Sequence, residues 1–203
     1  MDGKSVVESR GRTRRREAVV DVVRDDERFF ALQPEWDSCL RTMPGGDFFL
    51  SHAWLRAWRR TIGREAALRV FVLRDDDGIL AAAPLCRRRG RWYGVPVREM
   101  VWLGDGTSDR TQLLVRGGDR TAAALLWRRL AAHDEGQQMA RLEEVPVGSV
   151  TAEVARVETG RLGREPSSTL PWVRLSGSWE EIEARLPRKF RWELRTRPKV
   201  FAG

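Results

Sequence analysis

The side chains best suited to chemistry lie in one short polar loop, residues 104–109, between two predicted strands. The loop combines two carboxylates with two hydroxyl groups, from Asp105, Thr107, Ser108 and Asp109. Such a loop can hold the amine or hydroxyl of a substrate, because carboxylates accept hydrogen bonds and attract ammonium groups. We therefore take Asp105, Ser108 and Asp109, with Trp102 at the end of the preceding strand, as candidate substrate contacts. The alternative is a solvated turn in which Asp and Gly serve only the backbone.

Neither histidine of the chain is predicted to bind a metal, and no catalytic residue is assigned. His52 and His133 lack a second ligand at i+3 or i+4, so we interpret both as structural or surface residues. Ser51 precedes His52, but adjacent side chains on a helix point apart, which favours helix capping over nucleophilic catalysis. Cys39 and Cys86 belong to no CxxC pair, and we interpret them as reduced thiols.

No glycine-rich turn of the chain matches a phosphate-binding motif. The Gly104-Asp105-Gly106 string lacks the following helix and lysine of a P-loop. The Gly160-Arg161-Leu162-Gly163 string lacks the spacing with which acetyltransferases bind coenzyme A at a strand–helix turn. The sequence therefore predicts no cofactor and no metal bound by this chain.

The net charge of +8 is concentrated at the two ends of the chain. Residues 1–16 carry +4 and residues 185–203 carry +6, which leaves −2 for residues 17–184. Of the 37 basic residues 34 are arginine, a bias that we interpret as the signature of a GC-rich bacterial genome. We expect residues 1–16 to be a disordered basic tail.

The basic run at residues 185–199 has two interpretations. It could bind nucleic acid or an anionic membrane surface through its arginines and lysines. Alternatively, it is a solvated helix face that turns Phe190 and Leu194 inward. The chain has no helix-turn-helix and no RNA-binding aromatic signature, so a nucleic-acid partner is not expected.

Strand and helix patterns alternate along the chain and predict an α/β fold with a mixed sheet. The predicted strands are residues 18–23, 68–73, 79–85, 101–103, 112–115, 139–145 and 170–175. The predicted helices are residues 34–42, 53–62, 121–133 and 150–157, with two more beginning after Ser178 and near Leu186. Ser51, Ser149 and Ser178 are predicted N-caps, and Glu181 would complete a capping box with Ser178.

Four strings in order resemble the CelD/BcsL-like acetyltransferases, which belong to the GNAT superfamily and are related to FemAB-type peptidyltransferases. Residues 47–58 (DFFLSHAWLRAW) resemble the family's F-x-S-x-x-W-L-x-x-W opening. Residues 79–89 resemble its next strand, and residues 103–115 resemble its L-G-x-x-x-S-D-Y-x-x-x-L region. Residues 186–197 resemble its L-x-x-K-x-R-x-x-L-R-R helix, so the likeness is co-linear over most of the chain.

The resemblance implies a GNAT-like N-terminal lobe over residues 17–186, with a mixed, mostly antiparallel sheet flanked by helices. It also implies transfer of an acyl group to an amine or hydroxyl, on cellulose, another envelope polysaccharide or its precursor. Acetyl-CoA or another acyl-CoA is the co-substrate of the full-length family. Arg110 departs from the family pattern, which usually has an aromatic residue or histidine at this position.

Family members continue into a second lobe that carries the acyl-CoA site. We expect Pro198 to break the basic helix, which makes residues 187–203 a truncated helix leading to an absent C-terminal lobe. The chain alone is then expected to be incomplete and inactive, and to need a separate lobe or a dimer partner. Whether it is itself an enzyme is left open.

Two alternatives remain at this point. One is a non-catalytic basic module that binds an anionic polymer or membrane surface, and the other is a degenerate fragment without activity. No stretch approaches the ~20 apolar residues that span a bilayer, and residues 1–16 lack the apolar core of a secretory signal. We therefore expect no transmembrane segment and a cytoplasmic location.

Overall fold

The computed structural model describes residues 19–132, 136–158 and 176–201. The chain divides into two units, Met1–Ser167 and Ser168–Gly203. In the described residues, the first unit carries five α-helices and a six-stranded mixed sheet, and the second carries two α-helices. The prediction of a fold that combines helices with a mixed, mostly antiparallel sheet is confirmed, and the mainly antiparallel pairing places the fold in the α+β class.

The sheet runs in the order β1-β2-β3-β4-β6, and β5 pairs with β3. The strands are β1 (Val19–Val23), β2 (Ala67–Asp75), β3 (Gly78–Trp92), β4 (Val95–Trp102), β5 (Leu114–Val115) and β6 (Met139–Ala140). The helices are α1 (Asp26–Ala31), α2 (Gln33–Thr42), α3 (His52–Arg60), α4 (Arg120–Ala132), α5 (Val150–Glu158), α6 (Trp179–Arg185) and α7 (Arg188–Phe201). Only the β4–β6 pair is parallel in this sheet; the other four pairings are antiparallel.

Helices cover both faces of the sheet, because the side chains of β2 and β3 alternate between two apolar clusters. On one face, Val70 and Val72 pack in a cluster with residues of α1, α2 and α3. On the other face, Phe71 and Leu73 pack in a cluster with residues of α4 and α5. The two-sided burial explains why β2 and the first half of β3 are nearly continuously apolar.

Pro84 marks an interruption in the sheet. β4 runs antiparallel beside β3, and just after its end the Leu103 N–H donates to the Pro84 carbonyl at 2.8 Å. In antiparallel strands the N–H and carbonyl of one residue point to the same neighbouring strand. Pro84 has no N–H, so β3 lacks a donor at this position on the side where Leu103 lies. The chain leaves the ladder after Leu103 and rejoins β3 at Leu114. Residues 104–113, which include the predicted site, form this excursion.

The predicted helix caps are confirmed. Ser51 accepts from the Trp54 N–H at 3.3 Å, Ser149 accepts from the Ala152 N–H at 3.1 Å, and Ser178 forms the capping box with Glu181. Helix α1 lies outside the predicted elements. The Asp25 cap that begins it and the two acidic residues of its first turn are nevertheless a recognisable helix-start signal.

Four strands differ clearly from the prediction. β4 begins at Val95, six residues before its predicted start at residue 101, because residues 95–100 pair with the second half of β3. β3 continues from the predicted end at residue 85 to Trp92, because its arginine-rich half pairs with β4 although it is not apolar. β5 contains only Leu114–Val115, since the Leu113 N–H donates to the Thr151 hydroxyl at 2.9 Å instead. β6 contains only Met139–Ala140, and the left-handed φ of 56° at Glu144 breaks the extended run that was predicted to residue 145.

The prediction that Pro198 breaks the last helix is wrong, since α7 continues to Phe201. Proline removes one backbone donor, and the helix tolerates this single loss near its end. The predicted strand at residues 170–175, the tail at residues 1–16 and His133 lie outside the described residues. Within the part of the chain that is described, no helix is both long and apolar enough to cross a bilayer.

Candidate functional site

The predicted polar loop begins with a closed turn. The N–H groups of Thr107 and Ser108 both donate to the Gly104 carbonyl at 3.0 Å. Gly104 has a left-handed φ of 93°, and a Cβ at this position would lie 2.3 Å from the Ser108 hydroxyl. Glycine is therefore required here for both conformation and space. The turn holds Ser108 against the rest of the protein.

Ser108 is tied to helix α3. Its buried hydroxyl accepts a hydrogen bond from the Trp54 indole N–H at 2.9 Å. Trp54 lies in the first turn of α3 and also contacts Phe48 and Phe49, with ring centroids 5.2 and 5.5 Å away. The sequence string that suggested the family therefore places its first tryptophan against the candidate loop.

A second link joins the loop to the same segment. Arg110 Nε lies 3.2 Å from Asp47 Oδ2, and Asp47 accepts a hydrogen bond from the Phe49 N–H at 3.0 Å. The Arg110 contact is an ion pair without the alignment of a hydrogen bond, since Oδ2 has no hydrogen-bond partner among the described atoms. Burial raises the pKa of Asp47 despite the nearby Arg110 charge. Phe48, between these links, is 64% exposed.

Asp105 is held by two arginines. Its side chain is 6% exposed, with Arg88 Nη1 2.7 Å and Arg141 Nη2 3.8 Å from Oδ2. Burial raises the pKa of Asp105 above its usual value, although Arg88 and Arg141 both act to lower it. Asp105 is therefore part of an ion-pair network whose arginines are partly exposed to solvent, and it is not a solvated turn residue.

Glu99 on β4 is the centre of this network. Its buried carboxylate lies 3.2 Å from Arg88 Nε and 3.0 Å from Arg141 Nε. Burial opposes its ionisation, but the hydrogen bonds and charges of Arg141 and Arg88 outweigh burial and lower the pKa of Glu99. Arg141 also pairs with Glu143 at 2.6 Å, and its own pKa is raised by these carboxylates. Gly90 leaves room for the Glu99 carboxylate, which a Cβ would approach to 2.0 Å.

The four predicted contacts are not equally accessible. Asp105 and Ser108 lie in the same turn and are committed to contacts within the protein. Trp102 is 1% exposed in the apolar cluster beneath α4, and its indole N–H has no partner among the described atoms. Asp109 is exposed, as is Thr107. Of the predicted residues, only Asp109 can therefore meet a ligand without rearrangement, and the substrate roles stay predictions.

Arg88, Glu99, Arg141 and Trp54 were not among the predicted site residues. Glu99 had a signal, because it is the single acid in a strand that is apolar apart from Arg98, and the strand before it is rich in arginine. The Arg88–Glu99 contact follows from the β3–β4 register, in which these two residues are directly opposite. Arg141 had no signal, since only the parallel pairing of β6 with β4 brings it to Glu99.

His52 has a structural role, as predicted. It is fully buried, and Nε2 lies 3.0 Å from the Phe29 carbonyl. Burial lowers the pKa of His52, so the imidazole is held neutral. Cys39 and Cys86 are buried free thiols whose pKa burial raises to about 11 and about 12, so neither is an activated nucleophile. The described residues contain no group of three or more His, Cys, Asp or Glu side chains that could hold a metal ion.

No protein-family model matches the chain, and neither a curated protein nor a solved structure matches it. The likeness to the CelD/BcsL-like acetyltransferases therefore rests on the quoted strings.

Proposed function

We propose that this chain is the acceptor-binding lobe of a GNAT-type N-acyltransferase. The acceptor would carry an amine or hydroxyl group and belong to an envelope polysaccharide or its precursor. Acyl-CoA would be bound by a separate lobe or partner, because no string of the sequence matches the coenzyme A turn of acetyltransferases. Since acyl-CoA is a cytoplasmic metabolite, the proposal includes a cytoplasmic location, with which the two free buried thiols agree.

The observation that carries the proposal is the way in which the loop is fixed. The Ser108–Trp54 bond and the Asp105–Arg88 ion pair hold the turn on two sides, while Thr107 and Asp109 remain exposed. We call the exposed set Phe48, Thr107 and Asp109 the acceptor platform. Polar groups on a pre-ordered turn bind a ligand with little loss of conformational entropy.

The acceptor platform offers two complementary contacts. The Asp109 carboxylate can pair with an acceptor ammonium or accept from a hydroxyl, and the exposed Phe48 ring can pack on the apolar face of a sugar. An acceptor amine must lose a proton before its nitrogen attacks the thioester carbonyl carbon and the carbon–sulfur bond breaks. Neither Asp105, which the arginines hold, nor the buried His52 is free for that step. Because acyl-CoA would be bound by the separate lobe or partner, we expect this chain alone to bind acceptor and to release no coenzyme A thiol.

Binding of glucosamine to the full chain, followed by NMR of the ¹⁵N-labelled protein, tests the proposal. We expect saturable shifts at residues 104–110, and N-acetylglucosamine, which lacks the free amine, should bind more weakly. D109N should weaken glucosamine binding about tenfold, as expected for a lost charge-assisted contact. D77N is the matched control, because Asp77 is an exposed aspartate in the β2–β3 turn. Equal weakening by D77N, or no saturable shift with either sugar, would refute the proposal.

A second candidate function rests on the second unit. In α7, Arg188, Lys189, Arg191 and Arg195 accompany a single acid in the first two turns, and Trp192 is 65% exposed. This composition suits a module that binds an anionic polymer or membrane surface. Binding that weakens steeply with salt and is lost in the R188Q/K189Q/R191Q variant would support this candidate. Salt-insensitive binding of coenzyme A would instead favour the acyltransferase proposal.

A further inference from the structure

The β3–β4 hairpin extends beyond the rest of the sheet. β2 pairs with β3 only as far as Arg87, and β6 pairs with β4 only from Glu99 onward. Residues 88–98 therefore form a two-stranded projection, which we call the hairpin arm. A two-stranded ribbon has little core of its own, so most of its side chains are not needed for packing and can contact a partner surface.

The hairpin arm has a basic face and an apolar face. In the β3–β4 register Arg89 is opposite Arg98, and Arg91, two residues further along, shares their face. On the other face Trp92 is opposite Val95, and Val97 is opposite Gly90. The arm is thus amphipathic, with its apolar residues concentrated toward the tip.

The charges of the basic face lack counter-charges in the described part of the chain. Arg89 and Arg91 are exposed and form no ion pair with any described residue. Arg98 donates from Nε to the Gly136 carbonyl at 2.6 Å, which leaves its charge uncompensated. Like charges directly opposite on a ribbon are unfavourable, so this face is suited to an external anion.

The tip carries strained and exposed aromatic residues. Tyr93 and Gly94 have positive φ angles of 46° and 84°, as a type I′ turn requires. Asparagine or glycine would occupy the Tyr93 position with less strain, and the Tyr93 side chain is 91% exposed. Among the described residues its only ring contact is with Trp92, itself 51% exposed, at 5.0 Å. Tyr93 therefore contributes little to folding, which points to a role in binding.

We propose that the hairpin arm docks this protein on an anionic membrane surface. Trp92 and Tyr93 would enter the headgroup region, where amphipathic aromatic rings are favoured, with Val95 beside them. Arg89, Arg91 and Arg98 would pair with lipid phosphates behind the tip. This inference goes beyond the proposed acyltransferase function and is independent of the acceptor.

The hairpin arm fits a lipid surface better than a nucleic acid. The rings of Trp92 and Tyr93 are at 80° to each other and do not present parallel faces for successive bases. A polyelectrolyte would neutralise the basic face but leave Trp92, Val95 and Val97 in water. A bilayer interface satisfies both faces at once.

Vesicle co-sedimentation of the full chain tests this inference. We expect binding to phosphatidylcholine vesicles that contain phosphatidylglycerol, and much weaker binding to phosphatidylcholine alone. R89Q/R91Q should lower the partition coefficient roughly tenfold to thirtyfold, since each arginine near an anionic surface contributes a factor of about five or somewhat less. R120Q/R128Q, with the same loss of charge at exposed positions on α4, is the matched control.

The tip is tested separately by W92A/Y93A, with W179A as the control for an exposed tryptophan elsewhere. We expect the tip variant to lose binding and the vesicle-induced blue shift of tryptophan emission, and W179A to keep both. Y93N should raise the melting temperature while it weakens binding, which separates docking from folding.

Three results would overturn the inference. The first is equal binding to neutral and anionic vesicles. The second is loss of binding in R188Q/R191Q but not in R89Q/R91Q, which would assign docking to α7. The third is tighter binding of the same hairpin-arm surface to DNA than to anionic vesicles.

Discussion

Replacing Gly90 with alanine is expected to disrupt the Glu99 network without straining the backbone. Gly90 does not have a positive φ, so alanine is compatible with its conformation. A Cβ there, however, would lie 2.0 Å from Glu99 Oε1 and 2.5 Å from Cδ, so the carboxylate has to move. The substitution therefore reports on what the Glu99 contacts with Arg88 and Arg141 contribute to stability.

The magnitude follows from those two contacts. A hydrogen bond to a charged group contributes about 1.5–3 kcal/mol when it is well buried. Arg88 and Arg141 are 34% and 29% exposed, and both keep their ion pairs with Asp105 when Glu99 moves. Solvent and these remaining contacts reduce the loss of stability from the two Glu99 contacts to about 2 kcal/mol. Alanine also lowers the conformational entropy of the unfolded chain relative to glycine, which adds back about 0.5 kcal/mol to the free energy of unfolding. We expect G90A to destabilise the protein by about 1–2 kcal/mol.

A double-mutant cycle with E99A makes this reasoning testable. In the E99A background the clash is absent, so G90A should be neutral or stabilising by about 0.5 kcal/mol. Urea unfolding of the full chain, followed by far-ultraviolet circular dichroism, measures all four free energies. G106A is the control, since Gly106 has a φ of 75° with no atom within 4 Å of a Cβ, and its cost should be the same in both backgrounds. An equal effect of G90A with and without Glu99 would refute the role assigned to the network.

Three further predictions concern the same site. The lowered pKa of Glu99 means that its stabilisation is present at neutral pH and lost as the pH falls through its folded-state pKa, so the urea-midpoint difference between E99Q and the parent should shrink in acid. The raised pKa of Asp105 gives the opposite pH dependence, because the folded state binds the proton more tightly than the unfolded chain does. The parent should therefore gain stability relative to D105N as the pH falls toward the unfolded-state pKa of Asp105. Removing the donor to Ser108 with W54F should cost about 1–2 kcal/mol in urea unfolding, while W54F in an S108A background should cost markedly less. A midpoint difference that does not change with pH, or additive W54F and S108A effects, would contradict these assignments.

The fold was predictable where the information is local. Caps such as Ser51 and Ser178 depend on one side chain and the helix that follows it, so the sequence identifies them directly. The apolar half of β3 was also predictable, because both of its faces are buried. Its second half was not, since Arg87–Trp92 has no apolar pattern and becomes a strand only by pairing with β4. Local pattern likewise could not show how far α7 continues past Pro198.

The candidate site was predictable only in part, because its residues come from distant places in the sequence. Asp105, Ser108 and Asp109 stand together in one loop, and this proximity is visible in the sequence. The partners that fix them, Trp54 and Arg88, depend on the packing of α3 and on strand register. Trp102 shows the converse error, since a residue next to the loop in sequence faces the opposite apolar cluster.

The ion-pair network also links the two proposed surfaces. Arg88 contacts Asp105 in the loop and Glu99 at the base of the hairpin arm, and Glu99 in turn requires Gly90 within that arm. Trp92 lies four positions after Arg88, which is at most about 14 Å along an extended strand. A hairpin arm docked at the tip would therefore hold the acceptor loop close to the bilayer, within reach of a membrane-associated polysaccharide precursor. Because the same contacts fix both surfaces, G90A should weaken glucosamine binding and vesicle binding together, whereas D109N should affect only the first.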